Sequence, residues 1–159
     1  MPTNYAPPLE CRVEIDAAPS QVWTLVRDVC RMAEWSPQVT STRLRHGAED
    51  VGLGVEFTNL NSSGEFTWIT HGTIVRFEDQ REIAFRIEEN WAIWSFSLQP
   101  TPGGGTELMQ RRETPDGISD LSVQSTETYL GGQEVFTEVL RDGMHQTLES
   151  IKSAVEAAD

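Results

Sequence analysis

The chain has 159 residues, near the usual size of one domain and long enough to bury a core with an internal cavity. Its formal net charge of −13 at pH 7 repels phosphate groups, so nucleic acid and anionic membrane surfaces are not expected partners. No stretch approaches the roughly 18 apolar residues of a membrane-spanning helix. The N-terminus lacks the basic and apolar regions of a secretory signal, and we therefore expect a cytoplasmic protein without membrane insertion.

The N-terminal part predicts a strand followed by two short helices. Residues 1–10 contain three prolines and no hydrophobic period, which indicates a loose lead-in to the domain. Residues 11–16 alternate apolar and polar side chains, as a half-buried strand does. Pro19 suits the first turn of a helix, and a second helix is expected up to residue 34, before Pro37 forces the chain out of helical geometry.

The middle of the chain predicts six strands joined by short polar turns. Because no helix intervenes, the strands should form an antiparallel meander. Alternation of side chains places them at residues 39–45, 55–60, 66–77, 82–88, 92–99 and 106–114. Residues 115–131 predict a longer link, either a lid or a disordered crossover.

The last segment predicts one long amphipathic helix over residues 132–157. Apolar residues recur there at spacings of three and four, and charged residues occupy much of the rest. This apolar stripe needs a long apolar partner surface, which one face of the sheet provides. Gly143 in the middle of the helix gives up about 1 kcal/mol of helix propensity relative to alanine, either for close packing or to leave space for a ligand.

The order of these elements and several local motifs resemble a known family. It is the polyketide cyclase/dehydrase and lipid-transport family of the START-like superfamily (SRPBCC), with similarity at Ala18 to Trp23, Glu34 to Pro37, Trp94 to Pro100, Gly104 to Thr106 and Gly143 to Leu148. The resemblance implies an α+β helix-grip fold in a single domain over residues 11–157. In this fold a curved antiparallel sheet of about seven strands, in the order β-α-α-β6-α, wraps around a long C-terminal helix and leaves an internal cavity. Family members bind lipids, sterols, polyketides, hormones or other apolar molecules there, and a minority catalyse reactions.

Apolar side chains on the inner sheet face and on the terminal helix are expected to line this cavity. Side chains alternate across a sheet, so each strand contributes every second residue to the inner face. The predicted ligand-binding residues of this kind are Trp35, Phe57, Phe85, Trp94, Phe96, Phe136, Leu140, Gly143 and Met144. Trp35 ends the second short helix, where it either edges the pocket mouth or plugs the seam between helix and sheet.

The strand over residues 66–77 leaves two choices for its inward face. One face carries Ile69, His71, Thr73, Val75 and Phe77, and the other carries Phe66, Trp68, Thr70, Gly72 and Ile74. We assign the His71 face to the interior, because the other face continues into Arg76; a bulge at Gly72 would reverse the assignment. His71 would then be a titratable group in an apolar pocket and the candidate catalytic residue, unless it lies at the rim or bonds to a neighbouring strand.

Arg112 is the second polar candidate. It shares a strand face with Leu108 and Gln110, and a buried arginine needs a carboxylate from the protein or from a ligand. Arg112 is therefore the residue to test for binding a ligand carboxylate. Surface pairing with Glu107 or Glu113 is the alternative.

Two functions from different classes fit these features. The chain has no nucleophile elbow, H-E-x-x-H motif, phosphate-binding loop or dinucleotide-binding motif, and its two cysteines lack metal-type spacing, so no metal and no cofactor are expected. The leading hypothesis is a non-catalytic protein, monomer or homodimer, that binds or carries a small hydrophobic molecule. The alternative is an enzyme similar to polyketide cyclases, aromatases or dehydratases that uses His71 without a metal or redox cofactor.

Overall fold

One curved antiparallel sheet and a long helix make up most of the structure, a computed structural model that describes residues 8–117 and 133–157, without the side chains of residues 133, 134 and 136. The elements in chain order are β1 (Leu9–Ile15), α1 (Pro19–Val26), a 3-10 helix (Val29–Glu34), β2 (Val39–Leu44), β3 (Glu56–Ser63), β4 (Phe66–Glu78), β5 (Glu82–Ile87), β6 (Ile93–Pro100), β7 (Thr106–Glu113) and α2 (Gln133–Ala157). The predicted α+β helix-grip fold is confirmed. Most of the link expected at residues 115–131 lies outside the described residues.

The seven strands lie in the order β1-β7-β6-β5-β4-β3-β2. Strands β2 to β7 form the predicted meander, and β1 joins its far side by pairing with β7, where Leu9 lies opposite Arg112 and Ile15 opposite Thr106. Strand β1 begins at Leu9, two residues before the predicted start. The buried side chains that alternate along β1 and β7 therefore face the same interior as those of the rest of the sheet.

Helix α2 covers the inner face at one end of the sheet. Its main contacts are with β1, β7 and α1. Met144, Leu148, Ile151 and Val155 are each no more than 2% exposed, so the second half of the helix clamps the sheet. Lys152 Nζ donates to the carbonyl of Glu14 at 2.7 Å and fixes the helix to the end of β1. No helix within the described ranges combines the length and the apolar character needed to cross a membrane.

A bulge in β4 determines which of its side chains face the interior. The pairing with β5 shifts between Ile74 and Arg76, which leaves Val75 as an extra residue. Before the bulge the buried residues are Thr70, Gly72 and Ile74, whereas after it Phe77 packs against Trp23 with the ring centroids 5.4 Å apart. The assignment of the His71 face to the interior is therefore wrong. The bulge lies at Val75 and not at Gly72, and it reverses the alternation between His71 and Phe77.

Candidate functional site

A cavity of about 270 Å³ lies between the inner face of the sheet and helix α2 and is partly open to solvent. Its wall includes residues of strands β2 to β7. The short helices and the residues after them close one side of it, and Leu140 and Thr147 of α2 form the roof. The wall consists of Met32, Ser36, Gln38, Val39, Asn59, Asn61, Phe66, Trp68, Ile69, Thr70, Phe85, Ile87, Glu89, Asn90, Trp94, Phe96, Gln110, Arg112, Leu140 and Thr147.

Aromatic rings make up much of this wall. Phe85 and Phe96 on β5 and β6 form the floor, and each is no more than 5% exposed. Phe66 and Trp68 at the start of β4 stack with their ring centroids 5.2 Å apart and an interplanar angle of 19°. A ligand that enters the cavity would therefore contact mainly carbon surface, which favours an apolar body.

Arg112 places a positive charge in this apolar wall. Its strand position is opposite Trp94 of β6, and its guanidinium carbon lies 5.8 Å from the centroid of the Trp94 ring, a distance that allows a cation–π contact. The residue is 8% exposed, and burial lowers the pKa of Arg112 to about 10. Within residues 8–117 and 133–157, no carboxylate pairs with Arg112, and its Nε has no hydrogen-bond partner. The predicted alternative, surface pairing with Glu107 or Glu113, is wrong.

Two further buried polar atoms of the wall lack a protein partner among the described residues. Gln110 lies two residues before Arg112 on the same face of β7, and its Oε1 accepts no hydrogen bond. Gln38 lies just before β2, and its Nε2 donates none. Buried polar groups are almost always hydrogen-bonded, so unpaired ones on a cavity wall are candidates for binding a ligand.

The opposite side of the cavity carries a buried polar set whose members bind each other. Thr42 Oγ1 donates to Asn59 Oδ1 at 2.6 Å, and Asn61 Nδ2 donates to Thr70 Oγ1 at 3.0 Å. These bonds position the side-chain amides of Asn59 and Asn61 on the inner face of β3. The Asn59 Nδ2 and Asn61 Oδ1 atoms take no part in them.

The predicted ligand-binding residues divide between the cavity and the core. Five of the predicted residues lie on the cavity wall: Phe85, Trp94, Phe96, Arg112 and Leu140. Three others, Trp35, Phe57 and Met144, are buried in the core and do not line the cavity. Gly143 faces Pro37, since a Cβ on it would lie 3.4 Å from Pro37 Cγ, at ordinary contact distance, and it does not line the cavity. The side chain of Phe136 lies outside the described residues.

His71, the predicted catalytic residue, lies on the outer face of the sheet. Its Nδ1 lies 2.5 Å from Glu89 Oε2, and its backbone N–H donates to Glu89 Oε1 at 2.7 Å. Glu89 is part of the cavity wall, whereas His71 is not. Thr70 and Ile74 of the same strand face inward, whereas His71 points to the other side and contacts the cavity wall through Glu89. His71 therefore holds the β5–β6 turn in place through Glu89.

The same residues form the cluster of possible metal ligands found among the described residues. His71 Nδ1 and one oxygen each of Glu88 and Glu89 lie within 4.8 Å of one another. However, His71 Nδ1 already forms the hydrogen bond to Glu89, and the Glu88 side chain is 75% exposed. The hydrogen bond between His71 and Glu89 accounts for this arrangement.

Sequence reasoning missed an aromatic pair of the wall and most of its polar residues. Phe66, Trp68 and Thr70 belong to the face of β4 that was assigned to solvent. Asn59 and Asn61 were not selected because the prediction looked for apolar residues. The sequence does indicate an inward position for Asn59, because Asn59 shares a strand face with Phe57.

Comparison with known structures shows the same fold in proteins of low sequence identity. A polyketide-cyclase-like protein from Corynebacterium glutamicum, Cgl2372, is 24% identical, with 95% of this chain and 92% of that chain covered and a TM-score of 0.62. The Thermus thermophilus protein TTHA0849 is 14% identical, with 96% and 99% covered and a TM-score of 0.70. The di-domain ARO/CYC protein StfQ from the steffimycin biosynthetic pathway is 14% identical with a TM-score of 0.73, and the match spans 95% of this chain and 51% of StfQ.

The sequence itself matches a family model over nearly its whole length. No curated protein matches the chain. The model described as polyketide cyclase/dehydrase and lipid transport, however, covers residues 9–156, which include every described strand and nearly all of α2. The chain therefore belongs to the polyketide cyclase/dehydrase and lipid transport family.

Proposed function

We propose that the protein binds and carries a small, largely hydrophobic molecule in this cavity. The observation that supports the proposal is the cavity itself, because about 270 Å³ remains open among apolar side chains. Because the cavity is partly open to solvent, its apolar wall surface contacts water, and burying such surface is favourable by about 25 cal/mol per Å². The volume is near the lower end of the range of small-molecule sites. A ligand that fills the cavity would remove this apolar surface from water.

The family description is compatible with both binding and catalysis. The residues of the cavity wall are therefore the evidence that distinguishes the two functions. A cyclase or aromatase needs a group that moves a proton at the substrate. On the described wall the ionisable side chains are Glu89 and Arg112, and Glu89 is already bound by His71. His71, the candidate base, is not on the cavity wall. These positions favour binding without chemistry.

Native mass spectrometry and thermal-shift screens over lipids, sterols and polyphenols test the proposal. We expect at least one class to raise the melting temperature and to appear as a bound mass. Recovery of the bound compound after prolonged incubation separates the two functions. A carrier returns it unchanged, whereas a new product would favour the enzyme.

A cavity-filling variant shows whether the ligand binds inside. Leu140→Trp adds bulk to the roof, and Val139→Trp introduces the same indole ring at the neighbouring, 37% exposed helix position. We expect Leu140→Trp to lose binding and Val139→Trp to retain it. Ile87→Phe on the sheet side serves as a second filling variant if Leu140→Trp does not fold. Retained affinity in folded filling variants would contradict binding in the cavity.

A further inference from the structure

We infer that the ligand is a hydroxylated carboxylic acid, whose carboxylate binds Arg112 and whose hydroxyl group donates to Gln110. The inference rests on the proposed function, because it requires a ligand in the cavity. It deepens that function by naming the head group and its position. Both residues lie on the inner face of β7, and both are 8% exposed.

The unpaired charge of Arg112 favours an anion inside the cavity. A buried charge is costly unless it is paired and hydrogen-bonded, and no carboxylate within the described residues pairs with this guanidinium. Glu89 on the same wall is bound by His71. The Nε–H of Arg112 has no protein acceptor, so a carboxylate could accept from Nε and one terminal nitrogen in the forked geometry that arginine favours.

The number of charges points to a carboxylate and against a phosphate. Arg112 is the sole basic side chain on the described cavity wall. A carboxylate carries one negative charge, which one guanidinium neutralises. A phosphate monoester carries nearly two at pH 7 and would leave one charge unpaired in an apolar wall of a protein with net charge −13.

The hydroxyl group of the ligand is inferred from the side-chain amide of Gln110, which neighbours Arg112. Gln110 and Arg112 are separated by one residue along the strand, so their side chains emerge on the same face roughly 7 Å apart. Gln110 Oε1 is buried and has no donor among the described residues, although nearly all buried oxygens of this kind are satisfied. A carboxylate cannot donate to it. A hydroxyl group a few bonds from the carboxylate supplies the missing donor.

The rest of the ligand is apolar. Trp94 lies opposite Arg112, and Phe96 lies opposite Gln110 on β6, so the head group is bordered by aromatic rings. Phe85 continues this surface on β5, where it lies opposite Trp94. The acid head therefore binds at β7 while the hydrocarbon body extends across β6 and β5.

Four matched probes test the inference by isothermal titration calorimetry. They are 3-hydroxydecanoic acid, decanoic acid without the hydroxyl group, the methyl ester of 3-hydroxydecanoic acid without the charge, and methyl decanoate with neither. We expect the hydroxy acid to bind tightest. Loss of the charge should weaken binding by about tenfold to a hundredfold, and loss of the hydroxyl by about fivefold to tenfold.

Variants of β7 assign each effect to its residue. Arg112→Met should abolish the preference for acid over ester, and Arg112→Lys should retain part of it. Arg111→Met is the matched control, because Arg111 points outward and pairs with Glu10. Gln110→Leu should abolish the preference for the hydroxy acid over decanoic acid while the preference for acid over ester remains.

The outcomes separate this inference from the proposed function. Equal affinity of acid and ester, or an acid preference that survives Arg112→Met, overturns the role of Arg112. If none of the four probes binds but the wider screen finds a neutral apolar ligand, the hydroxy-acid inference is wrong and the proposed function stands. If the wider screen also finds nothing, both fail.

Discussion

The ring of Phe57 occupies the space in which a side chain on Gly72 would lie. Gly72 of β4 is paired with Phe57 of β3, and a Cβ on Gly72 would lie within 2.9 Å of three carbons of that ring. Phe57 is fully buried and packs edge-on against Phe85, with the ring centroids 5.3 Å apart. Gly72 thus lets an aromatic ring of the core lie against the strand, next to the cavity-floor residue Phe85.

Gly72→Ala is expected to destabilise the protein by about 1–3 kcal/mol, because the added methyl group must displace a ring that has no free space. Urea denaturation measures the change in the free energy of unfolding. Gly52→Ala is the matched control, since a Cβ on Gly52 meets nothing within 4 Å. Equal stability of the two variants would show that Phe57 can move aside at little cost.

The strands could be predicted from the sequence because alternation is a local signal. Each predicted strand agrees with the structure to within a few residues, and the inward positions of Phe57, Phe85 and Phe96 followed from alternation alone. The face of β4 could not be predicted in this way. Val75 is a bulge residue, and nothing in its neighbourhood distinguishes it from an ordinary strand residue.

The cavity could be predicted only in part because its polar residues depend on contacts between strands. Asn61 is tolerated inside because Thr70 accepts its hydrogen bond, and the two lie nine residues apart on different strands. Arg112 was identifiable because it follows the alternation of β7. The absence of a protein carboxylate beside it depends on the tertiary structure.

Gly143→Ala is expected to stabilise the protein by up to about 1 kcal/mol, because alanine has the higher helix propensity and the added Cβ would lie at ordinary contact distance from Pro37. Thermal or urea denaturation measures this change. Ligand affinity should stay the same, since Gly143 is not on the cavity wall. A fall in affinity with unchanged stability would instead indicate that the glycine provides space for the ligand.

His71→Gln is expected to lower the free energy of unfolding by about 1 kcal/mol through loss of the partly exposed hydrogen bond between the imidazole and Glu89, and to leave ligand affinity nearly unchanged. His46→Asn is the control, because His46 lies near Glu56 on the surface and its positive φ of 57° suits asparagine. A large loss of ligand binding or turnover in His71→Gln alone would restore the catalytic interpretation.

Arg112→Met is expected to raise the free energy of unfolding of the unliganded protein by about 1–3 kcal/mol, because it removes a buried charge without leaving a partner unpaired. The contact with Trp94 offsets part of this gain. A more stable variant that no longer binds acids would show that the protein sacrifices stability for binding. A destabilised variant would mean that Arg112 has a structural partner.

The stability difference between wild type and Arg112→Met should depend on pH in a direction set by the pKa of Arg112. Burial lowers this pKa from its ordinary value to about 10, so above about pH 10 the folded state binds fewer protons at Arg112 than the unfolded state does. The cost of the buried charge is therefore fully present below about pH 10 and decreases as the pH rises above it. Urea denaturation of both proteins near pH 8 and near pH 10.5 should show the smaller difference at the higher pH. A difference that stays constant or grows would mean that the guanidinium is not desolvated in the folded protein.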